Sequence, residues 1–71
     1  MENQELINFG NRIKYFRKQL NISQEKLAHK CDFDRTYISQ LERGKRNPSY
    51  LNLLKLADGL NISISDLVEK I

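Results

Sequence analysis

The chain is cut into five short helical patterns, separated by cap and turn residues. Leu6, Phe9, Ile13, Phe16 and Leu20 recur at spacings of three and four, placing five large apolar side chains on one stripe of a helix over about residues 5–20. Asn21 is the expected stop. Ser23 is the expected N-cap of a second helix over residues 24–31, its hydroxyl accepting from a backbone N–H of the first turn. Leu27, Ala28 and Cys31 share one face of that helix, and Ala28 is small enough to let a neighbouring helix come close. Asp32 is the expected turn residue, because Asp tolerates the left-handed backbone of a sharp turn. Asp34 should then cap a third helix over residues 35–43, with Tyr37, Ile38 and Leu41 on its buried stripe and Gly44 as its C-terminal cap. Residues 45–48 read as a loop. Ser49 caps a fourth helix over residues 50–59, with Leu51, Leu54 and Ala57 among its apolar positions. Asn61 and Ser63 restart the chain, and Ser63 with Asp66 reads as a capping box opening a last helix that carries Ile64, Leu67, Val68 and Ile71. The expected fold is all-α: a compact bundle of five short helices, without strand, repeat or linker.

At 71 residues there is room for one domain, 1–71. Hydrophobic residues make up 39% and charged ones 30%, with only 3 Gly and 1 Pro, which suits an ordered helical protein rather than a disordered tail. No apolar run approaches the roughly 20 residues that span a bilayer, and residues 1–10 lack the layout of a signal peptide, so a cytoplasmic location is expected. Cys31 has no second cysteine to pair with, and His29 is too near it for metal-ligand spacing, so neither metal nor cofactor is expected. A Gly-rich phosphate loop and a paired nucleophile and base are both missing from the sequence. With no length left to enclose a substrate pocket, the expectation is a protein that is not an enzyme and takes no small-molecule ligand.

Charge is distributed unevenly. Between Arg12 and Arg46 there are ten basic residues against four acidic ones, a local excess of +6, while the remainder of the chain is net −3. A basic block of this kind is what a phosphate-facing surface needs, since neutralising phosphates releases counterions. Lysines and arginines serve equally as solvated helix faces, so charge alone does not decide.

Two short helices joined by a turn, the second polar on its outer side, have the geometry that enters the major groove of DNA. The runs Ser23-Gln24-Glu25-Lys26-Leu27-Ala28, Tyr37-Ile38-Ser39-Gln40-Leu41-Glu42-Arg43-Gly44 and Asn47-Pro48-Ser49, followed by residues 54–60, resemble the phage repressor and Cro type of helix-turn-helix domain, with the helix-turn-helix at about 23–44. Helix one also matches in pattern, so the resemblance covers nearly the whole chain. One departure is Asp32, where the family usually has Gly. Asp is expected to be tolerated there at some cost in turn strain.

The resemblance assigns roles to residues that also have physical readings of their own. Gln24, with the N–H groups of the first turn of helix two, is implied to bind a DNA phosphate; the plain alternative is an exposed glutamine. Arg35, Thr36, Ser39 and Gln40 lie opposite Ile38 and Leu41, and the family reads base edges from such positions. Arg35 suits guanine O6 and N7, Gln40 suits adenine N6 and N7, and Thr36 offers a methyl to thymine or a hydroxyl to either partner. Arg35 has the alternatives of pairing with Asp32 or with a phosphate. Arg43, Lys45 and Arg46 read as phosphate clamps or as a solvated loop. Tyr37 either reaches a phosphate through its hydroxyl or packs on helix one. Glu42 could be taken for a contact to cytosine, but phosphates repel an anion, and in the family this position pairs with an arginine of helix one, which Arg17 matches. Arg17 and Glu42 are therefore expected to be a structural ion pair. Cys31 and Phe33 are expected in the core and His29 on the surface without a role.

One helix in one groove reads few base pairs, so a homodimer on two half-sites is expected. Ile64, Val68 and Ile71 form the stripe proposed for its interface, helix five acting with the end of helix four; completing a small core is the alternative. The run Asp34-Arg35-Thr36-Tyr37-Ile38-Ser39 with Glu42-Arg43 resembles, more narrowly, the controller proteins of restriction-modification systems. This implies a bacterial or phage regulator that binds double-stranded operator DNA, with RNA polymerase as a further candidate partner. An antitoxin or phage-type repressor, and a helix-turn-helix used as a scaffold for a protein partner, are the alternatives.

Overall fold

The computed structural model describes residues 3–69. Five helices follow one another, α1 (Gln4–Gln19), α2 (Gln24–Cys31), α3 (Arg35–Glu42), α4 (Tyr50–Gly59) and α5 (Ile64–Val68), and there is no strand among the described residues. Leu20 and Arg43, expected inside α1 and α3, are the caps that follow them.

Helices this short have nearly as many end groups as interior ones, so their ends decide whether they form. Side-chain oxygens of Asn3, Ser23, Ser49 and Ser63 accept from the backbone N–H of Leu6, Lys26, Asn52 and Asp66 at 3.0–3.2 Å. Asp34 stands at the N-cap of α3, but contrary to expectation its carboxylate makes no capping hydrogen bond. The N–H of Tyr37, the usual target of such a cap, is already bonded to the carbonyl of Asp34 at 3.1 Å.

At the C-termini, Asn21, Asp32, Gly44 and Asn61 take left-handed φ values of 58°, 61°, 74° and 59°. Each is followed by a residue whose N–H reaches back five positions: Ile22 to Arg17, Phe33 to Ala28, Lys45 to Gln40 and Ile62 to Ala57, at 2.8–3.4 Å. The turn at Asp32 is thus as expected. Three joints share one order, a left-handed Asn or Asp, an apolar residue packed on the core, then the next N-cap: Asn21-Ile22-Ser23, Asp32-Phe33-Asp34 and Asn61-Ile62-Ser63. Asn and Asp adopt this backbone more readily than other L residues, which is why the chain turns three times without glycine.

The core is Ile13, Leu27, Ile38, Leu41, Leu56, Leu60 and Leu67, with Ala28, Cys31 and Ala57 between them. Phe9, Phe16, Leu20 and Phe33 pack around its rim. On α4 the apolar positions divide: Ala57 is buried, whereas Leu51 and Leu54 are 68% and 39% exposed. The inward stripe of that helix is Leu53, Leu56, Ala57 and Leu60, the three-and-four spacing of a helix face.

Gly10 makes the crossing of α1 and α3 possible. A Cβ there would run into the carbonyl oxygens of Leu41 and Glu42, the second at 2.7 Å. Two residues on in α1, Arg12 donates through Nε to the carbonyl of Asp66 at 2.8 Å and stacks over Phe16, tying α5 to the bundle. Together these contacts leave α2 and α3 braced from behind.

Candidate nucleic-acid interface

The brace ends in one buried carboxylate. Glu42, at the last position of α3, is 3% exposed. Arg17 meets it with two nitrogens, Nε to Oε2 at 2.6 Å and Nη2 to Oε1 at 3.0 Å, and spends its third, Nη1, on the carbonyl of Ile22 at 2.9 Å. The fork geometry fits a guanidinium to a carboxylate, and charge-assisted bonds of this kind are stronger than neutral ones. Gln24 adds a third donor to the carboxylate, Nε2 to Oε1 at 3.0 Å. One network thus joins α1, the start of α2 and the end of α3. Glu42 is enclosed in it, so the cytosine contact weighed from the sequence has no carboxylate to use. Gln24 is not the freely exposed glutamine of the plain alternative; one amide hydrogen is committed to Glu42 and the second remains to donate outward.

In front of this network lies the outward face of α3. Arg35 and Thr36 are exposed, and Ser39 and Gln40 are half-exposed, on the side away from buried Ile38 and Leu41. Among the described residues Arg35 forms no ion pair with Asp32 or any other carboxylate, so its donors are open to solvent. Gln40 accepts from Arg46 Nη1 at 3.0 Å through Oε1. Arg43, Lys45 and Arg46 are all exposed along the rim, and Arg43 Nε reaches the carbonyl of Ser39 at 3.4 Å.

Tyr37 packs its ring on Phe33 and Arg46, where the sequence offered helix one or a phosphate. Its ring meets Phe33 edge-on at 4.8 Å and carries the Arg46 guanidinium 4.9 Å above it. Its hydroxyl accepts from Asn52 Nδ2 at 2.9 Å, which leaves the phenolic proton to donate outward. Asn52, and Lys55 placed 5.5 Å over the Phe33 ring, were not singled out from the sequence. They come from α4, fifteen or more positions away from the rings they meet, and no local pattern marks them.

The remaining candidates are quickly placed. Cys31 is buried, and burial pushes its thiol up to about 11. Phe33 is half-buried against the core and His29 is exposed. No group of residues among those described is arranged to hold a metal ion. Of the stripe proposed for a dimer, Ile64 packs against the core, Val68 is 51% exposed and Ile71 lies outside the described residues. More exposed apolar surface is contributed by Tyr50, Leu51 and Leu54. No described helix is long and apolar enough to cross a membrane.

Comparison with known proteins agrees with this geometry. The helix-turn-helix family model HTH_3 matches residues 13–67. Control protein C.MunI of a Mycoplasma species is 48% identical over 66 residues, covering 92% of this chain and 89% of that protein. Control protein C.BamHI of Bacillus amyloliquefaciens is 43% identical over 70 residues, covering 97% and 86%. Among solved structures, the restriction-modification controller protein C.AhdI from Aeromonas hydrophila superposes with a TM-score of 0.90 at 42% identity, covering 92% of this chain and 98% of its own. The chain therefore belongs to the helix-turn-helix family, and within it is similar to the restriction-modification controller proteins.

Proposed function

We propose that this chain is a sequence-specific transcriptional regulator that binds a palindromic operator as a homodimer, in the manner of a restriction-modification controller protein. The observation that carries the reading is the outward face of α3, where Arg35, Thr36, Ser39 and Gln40 stand clear of the core on a helix locked from behind by Glu42. Arg35 offers the donor fork that guanine accepts, Gln24, Tyr37, Arg43, Lys45 and Arg46 supply donors for the flanking phosphates, and α2 rests across the backbone.

The reading makes the protein a binder and not a catalyst, working in a bacterial or phage-infected cytoplasm. RNA polymerase is the partner it adds where the operator abuts a promoter. Two copies pair through apolar surface around Val68, with Leu51 and Leu54 of α4 as further exposed apolar groups.

Selection from a random duplex pool at two salt concentrations tests this. The expected result is a palindrome whose half-site centres are about 34 Å apart, bound with an affinity that falls steeply with salt. Recovery of no preferred sequence at low salt would defeat it. Sedimentation at micromolar concentration, with and without the selected duplex, tests the dimer, and a monomer under both conditions removes that part.

A further inference from the structure

Gln40 is the recognition-helix side chain whose orientation is already fixed before DNA arrives. Arg46 Nη1 donates to Gln40 Oε1 at 3.0 Å. A guanidinium carries only donors, so the amide atom facing it must be the oxygen, and the amide nitrogen points the other way. Arg46 is itself held in place. Its guanidinium lies 4.9 Å over the Tyr37 ring, that ring is propped edge-on by Phe33 at 4.8 Å, and its hydroxyl accepts from Asn52 at 2.9 Å. A chain of contacts thus runs from α4 through Tyr37 and the loop residue Arg46 back to α3.

Resting on the operator-binding reading above, we propose that Arg46 sets the base preference of Gln40, presenting its amide as a donor so that it reads guanine or thymine instead of adenine. A glutamine that grips adenine bidentately must offer Oε1 to N6–H and Nε2–H to N7 together. Here Arg46 occupies one lone pair of Oε1 and holds the oxygen toward the loop, which presents Nε2 to the base. Guanine O6 and N7 accept both of its protons and thymine O4 accepts one, whereas adenine offers N7 alone beside its amino donor and cytosine offers only an amino group. This replaces the adenine partner expected for Gln40 from its side-chain type alone. Arg46 acts as a positioning residue for Gln40, separately from any contact of its charge with a phosphate.

The unaltered chain, Gln40→Ala and Arg46→Ala are each put through selection from the same random duplex pool, with circular dichroism confirming that both variants keep the helical signal. Gln40→Ala identifies the base pair that this side chain reads, as the position where preference flattens. At that position the unaltered protein is expected to select guanine or thymine. Arg46→Ala frees the amide to turn and should raise adenine relative to those bases by roughly tenfold there and nowhere else, on top of a general weakening. A phosphate-only role for Arg46 would weaken all sequences alike and leave that preference unmoved, which overturns the proposal. Adenine selected by the unaltered protein, or no position flattened by Gln40→Ala, overturns it too. In each of these cases the protein still selects an operator, so the broader reading survives; failure to select any sequence defeats both.

Discussion

Arg17 and Glu42, twenty-five residues apart, meet in a two-pronged ion pair at 2.6 and 3.0 Å, with side chains only 12% and 1% exposed. Burying both charges costs desolvation, so the pair's value lies in being complete: removing one partner strands the other. Glu42→Ala is expected to destabilise the fold by about 3 kcal/mol, because Arg17 and the Gln24 amide both lose their acceptor. In a domain of this size that lowers Tm by roughly 10–20 °C. Thermal unfolding followed by circular dichroism measures it. An Arg17→Met, Glu42→Leu double variant, which leaves no uncompensated charge, should recover part of the loss, and equal melting of Glu42→Ala and the parent chain would refute the structural role.

Asp32 tests the cost of turning without glycine. Its φ of 61° is strained for an L residue by about 1 kcal/mol, partly relieved for Asp. Asp32→Gly removes the strain but adds unfolded-chain entropy of similar size, so a net change within about 0.5 kcal/mol is expected. Asp32→Val, β-branched and without a local hydrogen-bonding group, should lose at least about 1 kcal/mol. Urea midpoints at constant slope read both, and Asp32→Val melting at or above the parent chain would contradict the strain argument.

Much of this arrangement is legible in sequence because it depends on local chemistry. Three-and-four spacing marks α1, a cap residue together with apolar spacing marks each of the other four helices, and Asp32 announces its own turn. What is not legible depends on residues brought together from afar. Gly10 looks like a weak point in a helix until the carbonyls of α3 are placed against it. Leu51 and Leu54 are as apolar as Leu53 and Leu56, and only the way α4 is rotated against the core separates exposed from buried. Gln40 illustrates the same limit at the interface: its residue type suggests adenine, while its orientation follows from Arg46, six positions on and across a loop.

Cys31 makes the stability of the fold depend on alkaline pH. Burial raises its thiol from 9.0 to about 11, so the folded state holds the proton more tightly than the unfolded chain does. The stabilisation is then fully present below about pH 9 and is lost as pH climbs through about 11. Cys31→Ala should be less stable at pH 7 because of the small cavity it leaves, but the gap to the parent chain should narrow between pH 9 and 11. A gap constant over that range, measured by urea unfolding, would count against it. The same burial should keep the thiol from reacting with maleimide at pH 7 unless the protein is unfolded.

Arg35 separates reading from holding. Its side chain is exposed and makes no ion pair with any described carboxylate, so removing it should leave Tm within about 3 °C of the parent chain. If it grips guanine with two donors, Arg35→Ala should cost about 1–3 kcal/mol of operator affinity and relax preference at one base position per half-site. Arg43→Ala, on the rim, should weaken every sequence to a similar degree and reduce the salt slope by about 1. Titrations against the selected operator and a scrambled duplex at several salt concentrations distinguish the two. The assignment of Arg35 to a base fails if its variant lowers affinity for both duplexes equally, since a contact that carries sequence information must be lost more from the sequence it reads.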